Sequence, residues 1–193
     1  MLKRVIPYAH EALKEVTGPG DIVIDATCGN GHDTVMLSEA VGVSGHVYAC
    51  DLQQQAIDST NEKLKELNTS NVSLIHDGHQ HIQTYIDPDH IGQVAGAIFN
   101  LGYLPGSDKS VITTPDSTIQ AVDSIFNLLR PSGRIVLVVY YGHPGGDIEK
   151  DALLSYLENL DQKEAQVLQY GFINQKNTPP FVLIIEKNSQ SRH

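Results

Sequence analysis

The 193 residues are 40% apolar, enough to bury one core and too many for a disordered chain. The longest apolar runs, such as "IVLVVYY", are far too short to span a bilayer, and "MLKRVIPYAH" has no apolar stretch of the secretory type. The net charge is −10, from 23 acidic against 13 basic residues. That balance disfavours broad, nonspecific binding to nucleic acid, which rests on many Lys and Arg contacts. It leaves room for a local basic patch, with Lys3, Arg4 and Lys109 as candidates. Two cysteines, Cys28 and Cys50, form no disulfide framework and read as reduced cytoplasmic thiols.

Helices and strands alternate along the chain. Residues 6–17 read as a helix with Pro7 in its first turn. "DIVID" (21–25) is a strand, 32–42 a helix closed by Gly42, and 45–51 a second strand. Residues 53–68 set Ala56, Ile57, Thr60, Leu64 and Leu67 on one helical face. A third strand (71–77) leads into a short helix through Ile82 to Ile86. "VAGAIFN" (94–100) is a buried-type strand. Thr114 then caps a helix with Pro115 at its first position and "PSG" as its stop. A fifth strand (134–142) and a helix (146–160) follow. "AQVLQYGFI" and "FVLIIEK" form an antiparallel hairpin. The expected architecture is a single doubly wound α/β domain over residues 1–187, with a seven-stranded, mostly parallel sheet and a polar tail over 188–193.

In such a sheet the ligand lies beyond the carboxyl ends of the strands. Those ends read Asp25, Asp51, Asp77, Asn100 and Tyr141. The first runs into a glycine turn, "DATCGNGHDT". Such turns bring backbone N–H groups close to a ligand. This one lacks the lysine of a phosphate-binding loop and the third glycine of a dinucleotide fingerprint. Asp51 stands 20 residues after Gly31, the spacing of an acid that accepts ribose hydroxyls. Asp77 can accept from an adenine amine, and Leu52 can pack on the base. An adenosine ligand is implied. Asp25 and Asp33 would repel a pyrophosphate but suit a sulfonium and an ammonium, so S-adenosylmethionine (SAM) fits better than NAD. His76, His79 and His81 straddle a strand end without a cysteine partner, and a zinc site is not expected.

"VIDATCGNGHDT", "YACDLQQQAI", "IHDGHQ", "NLGYLPG" and "VVYYGHPGG" together resemble the small bacterial family labelled rRNA methylases, within the class I SAM-dependent methyltransferases. That family includes the tRNA 5-aminomethyl-2-thiouridine methyltransferases of the wobble position. The resemblance spans nearly the whole chain. It departs from the broad class at Thr27, where the first glycine of the turn usually stands. It implies a Rossmann-like fold with a C-terminal hairpin, SAM as cofactor, and a tRNA anticodon stem-loop as partner. The expected cofactor-binding residues are Asp25, Thr27, Gly29, Asn30, Gly31, Asp33, Thr34, Asp51, Leu52, Gln53, Asp77, Gly78, His79 and Asn100.

"NLGYLPG" resembles the Asn-Pro-Pro-Tyr signature of amino methyltransferases. It keeps Asn100 and Tyr103 and differs at Leu101 and Gly102. The resemblance implies that the Asn100 carboxamide oxygen and the Leu101 carbonyl accept from a target N–H, and that Tyr103 stacks on the base. From "YYGHPGG", Tyr141 and His143 are expected to face the acceptor pocket, His143 either taking a proton or ordering its loop. A primary alkylamine titrates near ~10 and must shed a proton before attack; Asp33 and His143 are both candidates to receive it. Alternative acceptors are rRNA and a small-molecule amine. Alternatives of another kind are an NAD-linked oxidoreductase and a non-enzymatic SAM-binding module. A homodimer would give a small acidic enzyme more surface for gripping RNA.

Overall fold

The computed structural model describes residues 1–102 and 114–189. Their elements, in chain order, are α1 (Val5–Lys14), β1 (Ile22–Asp25), α2 (His32–Val41), β2 (His46–Asp51), α3 (Gln54–Glu66) and β3 (Val72–His76). Two short 3₁₀ turns follow (His79–Tyr85 and Pro88–His90). Then come β4 (Val94–Leu101), α4 (Pro115–Leu128), β5 (Leu129–Val139), α5 (Gly146–Glu158), β6 (Ala165–Tyr170) and β7 (Phe181–Lys187).

One sheet holds all seven strands in the order β3-β2-β1-β4-β5-β7-β6. Strands β1 to β5 are parallel, and β7 runs antiparallel to both β5 and β6. The expected hairpin therefore exists, with its second strand inserted between β5 and β6. Its order reversal falls between β1 and β4: β2 and β3 extend the sheet to one side of β1, and β4 begins the other side. A crevice opens at such a point because the connections diverge to opposite faces.

Alternation along the strands feeds two cores. Ile24, Tyr48, Phe99 and Leu137 point to the face covered by Ile125 and Leu128 of α4, Leu153 and Leu157 of α5 and Ile82 of the first 3₁₀ turn. Val23, Val47, Ile98 and Val136 point the other way, onto Ala9 and Leu13 of α1 and Leu37 and Val41 of α2. Among the described residues no helix is long and apolar enough to cross a membrane.

Several boundaries differ from the sequence reading, and those around α1 and β5 differ most. Helix α1 stops at Lys14, where Thr17 Oγ1 instead donates to the Leu13 carbonyl at 3.0 Å. Strand β5 begins at Leu129 rather than Arg134. "RPSG" lies inside it as an irregularity that shifts the register against β4, with Ser132 at φ 63°. The expected helix stop thus belongs to the strand, and α4 ends at Leu128. Strand β5 ends at Val139, two residues before Tyr141. The start of α4 is as expected: Thr114 Oγ1 accepts from the Ser117 N–H at 3.3 Å, and Pro115 opens the helix.

Candidate active site

The carboxyl ends of β1, β2 and β4 open into a cavity of about 830 Å³, within the range of small-molecule sites. Its floor is the turn between β1 and α2. The turn is tight because Gly29 (φ 52°) and Gly31 (φ 80°) take left-handed conformations. Space enforces the second of these as well. A Cβ on Gly31 would meet Thr60 of α3 at 3.0–3.2 Å, that residue's Cα included. Thr60 Oγ1 and Lys63 Nζ then hold the turn from α3 by donating to the Gly29 and Asn30 carbonyls, at 3.0 and 2.8 Å.

Asp51 lines the cavity at the end of β2. One carboxylate oxygen accepts from the Gly29 N–H and the other from the Gln53 N–H, each at 3.0 Å. A carboxylate has about four acceptor sites, so two backbone bonds orient it without exhausting it. Burial raises its pKa above the usual 3.8. Leu52, 53% exposed, and Gln53 continue the same wall, which Gly78 and His79 complete. His79 is buried, with Nδ1 3.3 Å from the Ala26 carbonyl. Desolvation pulls its pKa down to about 4, so it is neutral at pH 7.

At the end of β4, Asn100 meets Asp33 of α2. The Asn100 amide nitrogen donates to Asp33 Oδ2, and its backbone N–H donates to Thr27 Oγ1 at 2.7 Å. Thr27 thus substitutes a tether for the glycine usual at its position. The other Asp33 oxygen lies 2.6 Å from His10 Nε2 of α1. Thr27, Asn30, Asp33 and Asn100 all line the cavity.

Four of the residues proposed from sequence sit elsewhere. Asp25 is fully buried behind the turn, accepting from Thr34 Oγ1 at 2.6 Å and the Thr27 N–H at 3.3 Å. Burial first, then the neighbouring charge of Asp33, raises its pKa to about 8. Asp25, Thr34 and Gly31 therefore shape the turn from behind. Asp77 turns onto His81 Nδ1 (2.9 Å) and the Tyr85 hydroxyl (2.8 Å), away from the cavity lining. Those two hydrogen bonds lower its pKa. His76, His79 and His81 face three different partners, Leu52 O, Ala26 O and Asp77.

His143 lines the cavity as expected, but its tyrosine neighbour on that wall is Tyr140. Tyr141 instead packs edge-on against Phe181 (centroids 5.8 Å apart) with Lys150 Nζ 4.9 Å from its ring centre. Tyr103 and Lys109 lie outside the described residues. Lys3 pairs with Glu11 on α1. Cys28 and Cys50 are free and buried, joined only through backbone by the Cys28 N–H and the Cys50 carbonyl at 2.9 Å.

Sequence reasoning missed Ile6 and His10, which bring α1 to the cavity wall. No motif marks them. Their place follows from how α1 is docked. Arg134 of β5 donates to the Ala12 carbonyl (2.8 Å) and to Glu15 (2.5 Å), while Tyr8 stacks on Tyr170 of β6 at 3.8 Å.

The sheet order, the glycine turn after β1 and the acid after β2 define the fold of the class I SAM-dependent methyltransferases. Residues 47–186 match the family model described as "Putative rRNA methylase", and the chain belongs to that family. It is 35% identical to the Arabidopsis thaliana "tRNA (mnm(5)s(2)U34)-methyltransferase, chloroplastic", over 97% of this chain and 71% of that protein. Two solved structures each align over 97% of this chain and 99% of their own. A Clostridium thermocellum protein described as "putative rRNA-methylase" shares 44% identity with a TM-score of 0.93. A Streptococcus mutans protein described as "a putative methyltransferase", in complex with SAH, shares 47% with a TM-score of 0.88. The protein is a SAM-dependent methyltransferase.

The cavity fits that cofactor on the chemistry of its walls. Two carboxylates, Asp51 and Asp33, line it. Apolar Leu52 and neutral Thr27, Asn30, Gln53 and Asn100 share that lining.

Proposed function

We propose that the protein methylates the amine of 5-aminomethyl-2-thiouridine at the wobble position of tRNA, gripping the anticodon stem-loop. The observation that carries this reading is the Asn100–Asp33 hydrogen bond at the end of β4. An ionised carboxylate only accepts, so Asp33 fixes the amide with its nitrogen inward. The carboxamide oxygen then serves an acceptor N–H. A neutral oxygen can orient an amine without stabilising its unreactive ammonium form. The Arabidopsis relative's name supports an aminomethyl-uridine acceptor.

In this reading Asp51 holds the ribose hydroxyls, Leu52 packs on the adenine, and the backbone of residues 27–30 and Asp33 hold the methionine end. Asp25, Thr34, Gly31 and Asp77 support that wall from behind. SAM supplies an electrophilic methyl group on a sulfonium, and the protein supplies alignment and a water-poor pocket. Tyr103 stacks on the acceptor base, and His143 borders the acceptor side. We place the enzyme in the cytoplasm, where its tRNA substrate is, and a second copy of the chain would widen the RNA-binding surface.

The deciding experiment is single-turnover methyl transfer from SAM, with nucleosides read by mass spectrometry. The acceptors are bulk tRNA lacking this methylation, rRNA, and simple alkylamines. We expect 5-methylaminomethyl-2-thiouridine from the tRNA alone. Methylation of rRNA or free amines, with the tRNA untouched, overturns the assignment.

A further inference from the structure

The reaction as proposed leaves one proton without a destination. A primary ammonium that attacks a methyl group must first release a proton. The nitrogen then forms its bond to the methyl carbon as the carbon–sulfur bond breaks, the sulfonium becomes a thioether, and the secondary amine leaves as an ammonium. One proton is produced per turnover.

The cavity wall contains a group suited to receive it. His10 Nε2 lies 2.6 Å from one oxygen of Asp33, whose other oxygen holds the Asn100 amide. The imidazole and the carboxamide are thus each one hydrogen bond from the same carboxylate, and both line the same cavity. Asp33 is nearly buried, at 9% exposure, so its oxygens strongly favour donors. An acceptor-only oxygen requires the hydrogen on Nε2, which leaves the lone pair on Nδ1. A carboxylate that holds one imidazole nitrogen also stabilises the imidazolium formed when the other takes a proton. The ring is firmly placed, since Arg134 and the Tyr8–Tyr170 stack anchor α1 on either side.

We propose that His10, held and charge-balanced by Asp33, takes the proton that the acceptor amine loses. The proposal rests on the amine-methylation reading above.

Other histidines on the cavity are less suited. His79 is desolvated and resists protonation down to about pH 4. His32 Nδ1 lies 3.3 Å from the Lys63 ammonium. Of the titratable groups around His10, Asp33 is bonded to it and Asp25 interacts with Asp33; Tyr140 and His143 line the same cavity, and Tyr8, Glu11 and Lys14 share its helix. Tyr140 is shifted upward by burial and by Asp33, so it stays neutral through the range in which an imidazole titrates.

The test compares wild type, His10→Gln, His10→Ala and His143→Gln. Glutamine keeps an N–H for Asp33 but cannot take the proton. SAM affinity of each is measured by calorimetry, and the ring nitrogens of His10 are observed by NMR without substrate. We expect an Nε2–H tautomer. We expect His10→Gln to bind SAM within about threefold of wild type yet to transfer methyl at least ~100-fold more slowly at pH 7. Its rate should keep climbing with pH toward the amine's own titration, where the wild-type rate has levelled. Added imidazole should speed His10→Ala. An Nδ1–H tautomer, an unaltered pH profile, absent imidazole rescue, or these signatures in His143→Gln instead would each overturn the proposal. Wild type that methylates no amine at all would refute the amine-methylation reading, before any variant is compared.

Discussion

Thr27 Oγ1 accepts the backbone N–H of Asn100 at 2.7 Å, so a side chain from the turn after β1 ties down the end of β4 across the order reversal. A glycine at this position would leave that N–H to find another partner. Thr27→Val keeps the shape and removes the acceptor. The orphaned donor should cost roughly 1–3 kcal/mol, a fall in Tm of several degrees for a chain of this size. Turnover should fall with it, because Asn100 loses its anchor. Thr27→Ser should restore both. Thermal unfolding of the three proteins checks this; a valine variant as stable and active as wild type would make the tether incidental.

Asp51 is predicted to act on cofactor binding. Gly29 and Gln53 orient its carboxylate from the backbone, so the wall survives its removal better than the ligand does. Asp51→Ala should weaken SAM binding by roughly 1.5–3 kcal/mol, the range for a lost hydrogen bond to a charged group. Calorimetry reads this directly. Equal affinity in the two proteins would move the ribose away from Asp51.

How much of this was legible in the sequence depends on whether a residue's place is set locally. Asp51 and Asn100 end long apolar runs beside turn residues, and the strand period alone puts them at the sheet's edge. The 20-residue interval from Gly31 to Asp51 is a local measure too. Tyr140 takes the place expected for Tyr141 because β5 stops at Val139, inside the run "IVLVVYY", an end that apolar alternation does not reveal. Asp77 stands at the expected strand end, yet His81 and Tyr85 draw its carboxylate aside. His10 was out of reach altogether. Its partner Asp33 is 23 residues away, and only the packing of α1 on β5 and β6 brings the two together.

Asp25 makes stability depend on pH. Burial, reinforced by Asp33, raises its pKa from 3.8 to about 8. The folded chain therefore keeps a proton that the unfolded chain releases above about pH 4, and stability falls as pH rises toward 8. His79 acts in the opposite sense. Its pKa is lowered from 6.5 to about 4, so its contribution is present above about pH 6.5 and is lost as pH falls to 4. The two slopes oppose each other up to about pH 6.5, and beyond it Asp25 acts without that opposition. One proton across the interval to pH 8 is worth roughly 2 kcal/mol. Urea unfolding at pH 6.5 and pH 8 should show a smaller drop for Asp25→Asn than for wild type, by about that amount. Parallel behaviour would mean that Asp25 is already ionised at pH 6.5.

Asn100 is predicted to govern turnover while leaving the cofactor largely alone. Its amide nitrogen is committed to Asp33 and its backbone to Thr27, so both ends of the residue are fixed before any acceptor arrives. A fixed neutral oxygen can direct a lone pair at the methyl group, and misalignment of reacting atoms by about 1 Å costs on the order of 100-fold in rate. Asn100→Ala should lose that much in single-turnover transfer, with SAM affinity within a few-fold of wild type. Asn100→Asp keeps the shape but replaces the amide donor with a second acid facing Asp33. Two carboxylates in one site disfavour each other's ionisation, and whichever remains charged stabilises the acceptor as ammonium. Its rate should therefore drop as well, with the deficit shrinking as rising pH deprotonates the amine. Near-normal turnover in Asn100→Ala would sink the amine-clamp reading of "NLGYLPG" and turn attention to His143 and the segment after β5.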